Sequence, residues 1–466
     1  MSTLPSSFRD PSGFVFQYEN RIYRQVNNVY AQSYEKFMIC GLYEELTARK
    51  ILIEHTEISD GALPRTDECH KILEPDQLRY ISYPYEWSFS QLKDAALLTL
   101  RAQAIALKHG FTLKDASAYN IQFHHGRPVF IDTLSFEPYE EGKPWTAYRQ
   151  FCQHFAAPLA LMARTDIELG KMLSSHIDGI PLPLASRLLP ARTWLSYPFL
   201  AHIHLHAKMQ AGYADLAGEN QSSSQDKASS SKVSAKGLRA IAESLASFVN
   251  KLDWTPPKTE WGDYYDHTNY NDEASQKKRE LVDEFLSRID SPLNIVQDLG
   301  ANTGEFSRIA TKHADLVVSQ DIDPVAVEKN YRKSREDKDS KLLPLRQDLF
   351  SPSPAIGWAN EERESFRERA GCDAMLALAL IHHLAISNNL PLAHIANLFA
   401  ALSKWLIIEF VPKSDSQVIR LLETREDIFD HYNIEDFERV FGEYFDLREK
   451  QTVHGSERTL FLFQRK

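Results

Sequence analysis

The sequence predicts two domains: an α+β domain over residues 1–217 and, over residues 237–466, an α/β domain built on a doubly wound sheet. Three observations carry this reading. At 466 residues the chain is too long for one ordinary core. Residues 218–232, Gly-Glu-Asn-Gln-Ser-Ser-Ser-Gln-Asp-Lys-Ala-Ser-Ser-Ser-Lys, hold almost no apolar side chain and cannot offset their own ordering entropy, which marks 218–236 as a flexible Ser-rich linker. Beyond it, short apolar and β-branched runs alternate with helical patterns, as parallel strands and their crossover helices do.

In chain order, residues 13–27 hold two aromatic and β-branched runs around Glu19-Asn20, a hairpin pattern. Apolar residues then recur at helical spacing from Ala31 to about Ile53 (Tyr34, Phe37, Met38, Leu42, Leu46), and a turn follows near Asp60-Gly61. Residues 80–85, Tyr-Ile-Ser-Tyr-Pro-Tyr, read as a short strand bent at Pro84, which cannot donate to a ladder. Residues 91–109 form an amphipathic helix, with Leu92, Ala95, Ala96, Leu100, Ala104 and Leu107 on or near one face and Gly110 as its stop. After residues 111–123 come a turn at His125-Gly126 and a strand over 128–136, so Asp115, Asn120 and Asp132 are carried on a helix, loop, strand, turn, strand arrangement. Residues 145–216 read as helical with proline interruptions, and 237–252 as an amphipathic helix opening the second domain.

An Asp followed five residues later by Asn, with a second Asp on the next strand, resembles the catalytic region of protein-kinase-like and aminoglycoside-phosphotransferase-like folds, over about residues 10–215. The resemblance implies a kinase-like domain in which Asp115 accepts the proton of an attacking hydroxyl while Asn120 and Asp132 hold magnesium on the phosphates. The sequence departs from that pattern: Leu113 replaces the usual His, Thr-Leu follows Asp132 in place of Phe-Gly, and no glycine-rich loop precedes the first hairpin. Arg24 is the candidate substitute for the phosphate-holding lysine, with Glu44 or Glu45 as its helix partner. Asp115, Asn120 and Asp132 are therefore either a vestigial phosphotransfer site or caps of turns, a routine use of Asp and Asn.

The second domain is organised around residues 294–306, Asn-Ile-Val-Gln-Asp-Leu-Gly-Ala-Asn-Thr-Gly-Glu-Phe, which follow a predicted helix over about 273–289. Ile295 and Val296 supply a buried strand, Asp298 its carboxyl end, and Gly300 and Gly304 a tight turn into a helix. The G-x-G-x-x-G and G-x-x-x-x-G-K-[ST] fingerprints are absent. The spacing D-x-G-x-x-x-G instead resembles the first motif of the class I S-adenosylmethionine-dependent methyltransferases, and the resemblance extends over about residues 255–466. It implies a Rossmann-like methyltransferase sheet of seven strands completed by a hairpin over 445–463, with S-adenosyl-L-methionine as cofactor. Asp298 would take the cofactor's ammonium, and the loop Gly300, Ala301, Asn302 and Gly304 its carboxylate. An acid at the end of the second strand is where such a fold binds a ribose, which selects Asp321 with its neighbour Ile322; Asp323 is second, or a cap for the helix after Pro324. Asp348 and Leu349 are implied at the adenine, and Tyr264, Tyr265 and Tyr270 either as lid residues over the cofactor or as side chains packed on the domain surface.

Residues 372–384 form a near-continuous apolar run, the pattern of a central strand buried on both faces, ending at His382 and His383. A neutral imidazole there can remove a proton from an attacking oxygen or nitrogen, His382 being the first candidate; either ring also suits a helix cap. Glu409, near the end of a strand over 405–411, orients a substrate amine or caps the strand. No third ligand accompanies the His pair, and Cys40, Cys69, Cys152 and Cys372 form no C-x-x-C, so no metal site is expected and the thiols read as free and buried. The motif N/D-P-P-[YF] is missing at the fourth strand, which disfavours base-amine and glutamine methylation of that type, and the end Ala-Leu-Ala-Leu-Ile-His-His-Leu resembles small-molecule methyltransferases, although such ends also occur in other subfamilies. A formal charge of -11 disfavours nucleic acid. No apolar run approaches the roughly 20 residues needed to span a bilayer, and the N-terminus has no signal-peptide core; a cytoplasmic protein without a membrane partner is expected. The predicted function is methyl transfer from S-adenosylmethionine to an O or N nucleophile of a small molecule, with a bifunctional kinase-like methyltransferase and a scaffold with a vestigial pocket as alternatives.

Overall fold

Strands β1 (Ser2–Thr3), β2 (Gly13–Tyr18), β3 (Arg21–Asn27), β4 (His55–Ile58) and β5 (Cys69–Pro75) form an antiparallel sheet ordered β1-β2-β3-β5-β4. Glu19 and Asn20, at the tip of the first hairpin, both adopt positive φ (47° and 61°), the backbone of a tight two-residue turn. The structure, a computed structural model, describes residues 2–59, 61, 63–208, 233–257, 272–423 and 425–466. The tyrosines 264, 265 and 270, Asp60 and most of the predicted linker lie outside the described residues. The chain divides into two units: Met1–Thr255 with Ala355–Arg363, and Pro256–Pro354 with Glu364–Lys466.

Within the first unit the helix expected from Ala31 to Ile53 is two helices, Ala31–Ile39 and Leu42–Ala48. Gly41, at φ +81°, turns the chain between them. The expected strand at residues 80–85 is not one. Gln122 occupies both backbone groups of Ser82 with its side-chain amide (2.9 Å each way), so no ladder forms, and a 3-10 turn follows at Pro84–Glu86. Helix Phe89–Lys108 opens on a capping box in which Ser88 and Gln91 satisfy each other's amides. Two short antiparallel pairs follow, the hairpin β7 (Ile121–His124) with β8 (Arg127–Phe130) and, flanking it in sequence, β6 (Phe111–Leu113) with β9 (Phe136–Pro138). The strand expected over 128–136 is split because Asp132 caps the 3-10 turn Thr133–Ser135.

Helix Ala235–Lys251 was expected to open the second domain but packs in the first unit. The Lys93 ammonium of helix Phe89–Lys108 donates to the carbonyls of Asn250 (3.0 Å) and Leu252 (2.6 Å), satisfying its C-terminal end. Two of the four thiols depart from the expected burial: Cys40 is exposed and Cys69 half-buried.

The second unit is built on β10 (Leu293–Leu299), β11 (Ala314–Asp321), β12 (Leu342–Arg346), β13 (Cys372–Ala377), β14 (Ser403–Phe410), β15 (Phe445–Thr452) and β16 (Thr459–Arg465). Their order is β12-β11-β10-β13-β14-β16-β15, parallel except where β16 pairs antiparallel to both neighbours. Successive residues of β13 enter different cores: Ala374 and Leu376 pack with Val296, Val317 and Ile407, while Met375 and Ala377 pack with Leu406, Ile408 and Phe461. Burial on both faces is why the strand is apolar without alternation from Ala374 to Ala377.

Candidate functional site

Four strand ends converge on a cavity of about 600 Å³ in the second unit. β10 brings Asp298, β11 Asp321, the chain after β12 Asp348 and Leu349, and the chain after β13 Leu378, Ala379, Leu380 and His383. β10 lies between β11 and β13, so the cavity sits where the strand order reverses, the place at which doubly wound sheets bind ligands.

The glycine loop is held by the carboxylates it adjoins. Gly300 adopts φ +70°, and a Cβ there would come within 3.1 Å of Leu380 Cδ1. Gly300, Ala301, Asn302 and Ile322 all line the cavity. The Asn302 amide donates to Asp321 Oδ2 (2.8 Å) and the Asp323 amide to Oδ1 (2.9 Å), so Asp321 braces the loop from the next strand. Asp323 accepts from the Val325 amide (2.8 Å) and caps helix Pro324–Asp337. Gly304 is absent from the lining, contrary to expectation. Its φ of +82° starts helix Glu305–Ala310, and a Cβ there would overlap the Asn330 side chain, so this glycine serves packing.

Asp298 is 2% exposed and accepts from the Ser307 hydroxyl (2.6 Å). Burial pushes its carboxyl up to about 7, helped by the Asp321 charge and opposed by Ser307 and Lys278. Burial likewise raises Asp321 to about 6 against the pull of the backbone amides. Asp348 accepts from the amides of Phe350 (2.9 Å) and Ser351 (3.3 Å), a local turn that fixes its carboxylate at the cavity rim.

The histidines stand differently from the expectation. β13 ends at Ala377, Ala379 reverses the backbone at φ +49°, and the pair falls on the helical turn beyond. His383 lines the cavity; His382 does not, and its Nδ1 has no hydrogen-bond partner among the described residues. The rings lie 4.1 Å apart. Burial lowers both below the ordinary histidine value, His383 to about 4, with the Arg458 charge acting in the same direction. Glu409 is fully buried behind the cavity wall, with its carboxylate on the Lys278 ammonium (2.7 Å). It is therefore Lys278, above the Phe306 ring at 4.9 Å, that reaches the cavity in place of Glu409. Burial lowers the Lys278 ammonium, and Glu409 opposes that shift.

No family model matches the chain. The nodulation protein NoeA of Rhizobium meliloti (strain 1021) is 36% identical over 474 residues, which span 99% of this chain and 96% of that protein. The chain belongs to the NoeA family. Solved structures similar to this NoeA-family chain include the N-methyltransferase NodS from Bradyrhizobium japonicum WM9 (12% identity, 42% of this chain and 98% of that one, TM-score 0.31). Others are the magnesium protoporphyrin IX methyltransferase ChlM from Synechocystis PCC 6803 with bound SAH (18%, 44% and 93%, TM-score 0.32) and the bifunctional kinase-methyltransferase WbdD (18%, 43% and 42%, TM-score 0.29).

In the first unit of this NoeA-family chain, Asp115, Asn120 and Asp132 do come together. Asn120 Nδ2 donates to Ser135 Oγ (3.2 Å), whose hydroxyl donates to Asp132, and burial together with the Asp132 charge raises the Asp115 carboxyl. Asp115 and Asp132 also accept from the amides two residues ahead, as turn caps do (2.8 Å and 3.0 Å). Arg24 is not paired with Glu44 or Glu45. Its guanidinium lies 2.6 Å from Asp132, while Glu45 holds His109 and Arg49.

Lys278 is the residue that sequence reasoning missed. In helix Asp272–Ser287 the buried positions Ala274, Val282, Phe285 and Leu286 follow helical spacing, and Lys278 falls on that stripe. A lysine on an apolar stripe needs a buried partner, and that was the available signal.

Proposed function

We propose that this chain is an S-adenosylmethionine-dependent methyltransferase acting on an oxygen or nitrogen nucleophile of a small molecule. The observation that carries the reading is the convergence of Asp298, Asp321 and Asp348 with the Gly300 loop on one cavity. The residues present suit that cofactor: a buried carboxyl raised to about 7 is restored to its ionised form by an ammonium, and Gly300 leaves the loop backbone open to a ligand. Asp298 would hold the ammonium, Asp321 with Ile322 the ribose, and Asp348 with Leu349 the adenine. When bound, the cofactor supplies an electrophilic methyl group on a sulfonium.

The protein's own share is positioning and the exclusion of water. His383 lines the cavity and is neutral at physiological pH, and its low basicity makes it an orienting group for the acceptor molecule more than a proton store. Calorimetry with S-adenosylmethionine tests the site: Asp298→Ala is expected to abolish binding, and unchanged affinity would sink the assignment. Incubation with labelled cofactor and a cell extract, followed by mass spectrometry, identifies the acceptor; absence of any labelled product would leave the scaffold reading.

A second activity, phosphoryl transfer in the first unit, has the convergence of Asp115, Asn120 and Asp132 in its favour. Against it, the Arg24 guanidinium already neutralises Asp132. We therefore expect no magnesium-nucleotide binding by this unit; binding that disappears in Asp132→Ala would establish the bifunctional reading instead.

A further inference from the structure

The first unit carries a surface that neither the cavity nor the carboxylate cluster explains. Residues 179–208 contain no Asp or Glu, in a chain of formal charge -11. They form helix Leu182–Leu188, the 3-10 turn Ala191–Leu195 and the helical stretch from Tyr197 to His204. One buried ring ties these pieces together: His204 Nδ1 bonds Ser186 Oγ (2.8 Å) and Nε2 bonds Thr193 Oγ1 (2.9 Å). Trp194 stacks on the same ring at 4.1 Å, and the Lys208 ammonium sits 5.0 Å above Trp194.

What this frame presents outward is apolar and basic. Leu195 is 92% and Tyr197 76% exposed, and Leu188, Trp194 and Leu205 of the same stretch are exposed as well. Arg187, Arg192 and Lys208 are the exposed charges of the same stretch. Phe199, Ile203 and Leu189 are buried beneath, so the outward side chains are not core residues displaced by poor packing.

We propose that this face docks on the surface of an anionic phospholipid bilayer. Exposed leucine enters the acyl boundary, Trp and Tyr favour the headgroup level, and Arg and Lys draw anionic lipid, while the stretch itself contributes no carboxylate to repel it. Among the described residues no helix is long and apolar enough to cross a membrane, so the contact is peripheral. The proposal departs from the expectation of no membrane partner.

The test uses the full chain and sedimentation with vesicles of phosphatidylcholine alone or mixed with phosphatidylglycerol. The chain is expected to bind the mixed vesicles at least about tenfold more tightly than the neutral ones, with an affinity that falls as salt is added. Leu195→Ser with Tyr197→Ser should lose binding, and Arg187→Gln with Arg192→Gln should lose the preference for anionic lipid; these side chains are exposed, and unchanged thermal melts confirm the fold. No binding to the mixed vesicles at low salt overturns the proposal, as does binding that both double variants retain. A concentration-dependent dimer that Leu195→Ser with Tyr197→Ser dissolves, without vesicle binding, assigns the face to a second copy and overturns it as well.

Discussion

Asp298 and Gly304 show how differently two residues of one motif are used. Asp298 titrates in the fold near 7, whereas its ordinary carboxyl value is 3.8. An ammonium ligand needs the ionised form, so cofactor association should strengthen by about a factor of ten per pH unit below about 7 and level off above it. The same shift acts oppositely on the empty fold: the neutral carboxyl is the one that burial tolerates, so the stability it contributes is present below 3.8 and lost as pH rises through about 7. Calorimetric titration of the wild type across this range checks the binding slope, and denaturant melts against Asp298→Asn, which should lack this pH dependence, check the stability. Gly304 carries no charge to titrate. Gly304→Ala should cost about 1–3 kcal/mol in urea unfolding, through positive φ and overlap with Asn330; a loss of cofactor affinity without loss of stability would return Gly304 to the binding site.

Among the elements, helix Asp272–Ser287 and strand β14 are joined at the cavity wall by Lys278 and Glu409, whose side chains are 5% and 0% exposed. Removing Glu409's charge takes from the buried Lys278 ammonium its closest carboxylate, so Glu409→Gln should destabilise by about 3–5 kcal/mol, while Lys278→Met combined with Glu409→Leu should recover part of that loss. Denaturant melts of the three variants decide it. A Glu409→Gln protein of unchanged stability and lowered turnover would instead support the catalytic role that the sequence assigned to Glu409. The strands were legible because a run such as Ile295 and Val296 ending in Asp298 and Gly300 has few other conformations. The two histidines misled because the apolar run from Cys372 to Leu384 gives no sign of where the strand stops; Ala379, with a positive φ that favours glycine or asparagine, makes the break. Ser82 misled for the complementary reason, since a side chain 40 residues away occupies its backbone.

The first unit is not continuous in sequence. The chain leaves the second unit after Pro354, contributes Ala355–Arg363 to the first, and returns at Glu364. Ile356 and Arg363 pair at the base of this excursion (3.1 Å in both directions), Glu362 is buried against Arg9, and the Arg363 guanidinium lies 4.4 Å over the Tyr119 ring. No periodicity in the sequence announces such a segment, because its partners lie hundreds of residues away. Replacing residues 357–362 by two glycines should lower the first unit's melting temperature by about 2–4 °C, the effect of losing about 1 kcal/mol in a unit of this size, and leave cofactor affinity within about twofold. Calorimetric melts and binding titration of the variant read the two units separately.

The excursion also sets a clock. Arg9 and Glu362 are 353 positions apart, and a ribosome adding about 5–20 residues per second needs roughly 20–70 seconds to produce the second after the first. For that interval the amino-terminal half waits on the nascent chain without one of its own segments, so its completion is scheduled by translation of the other half.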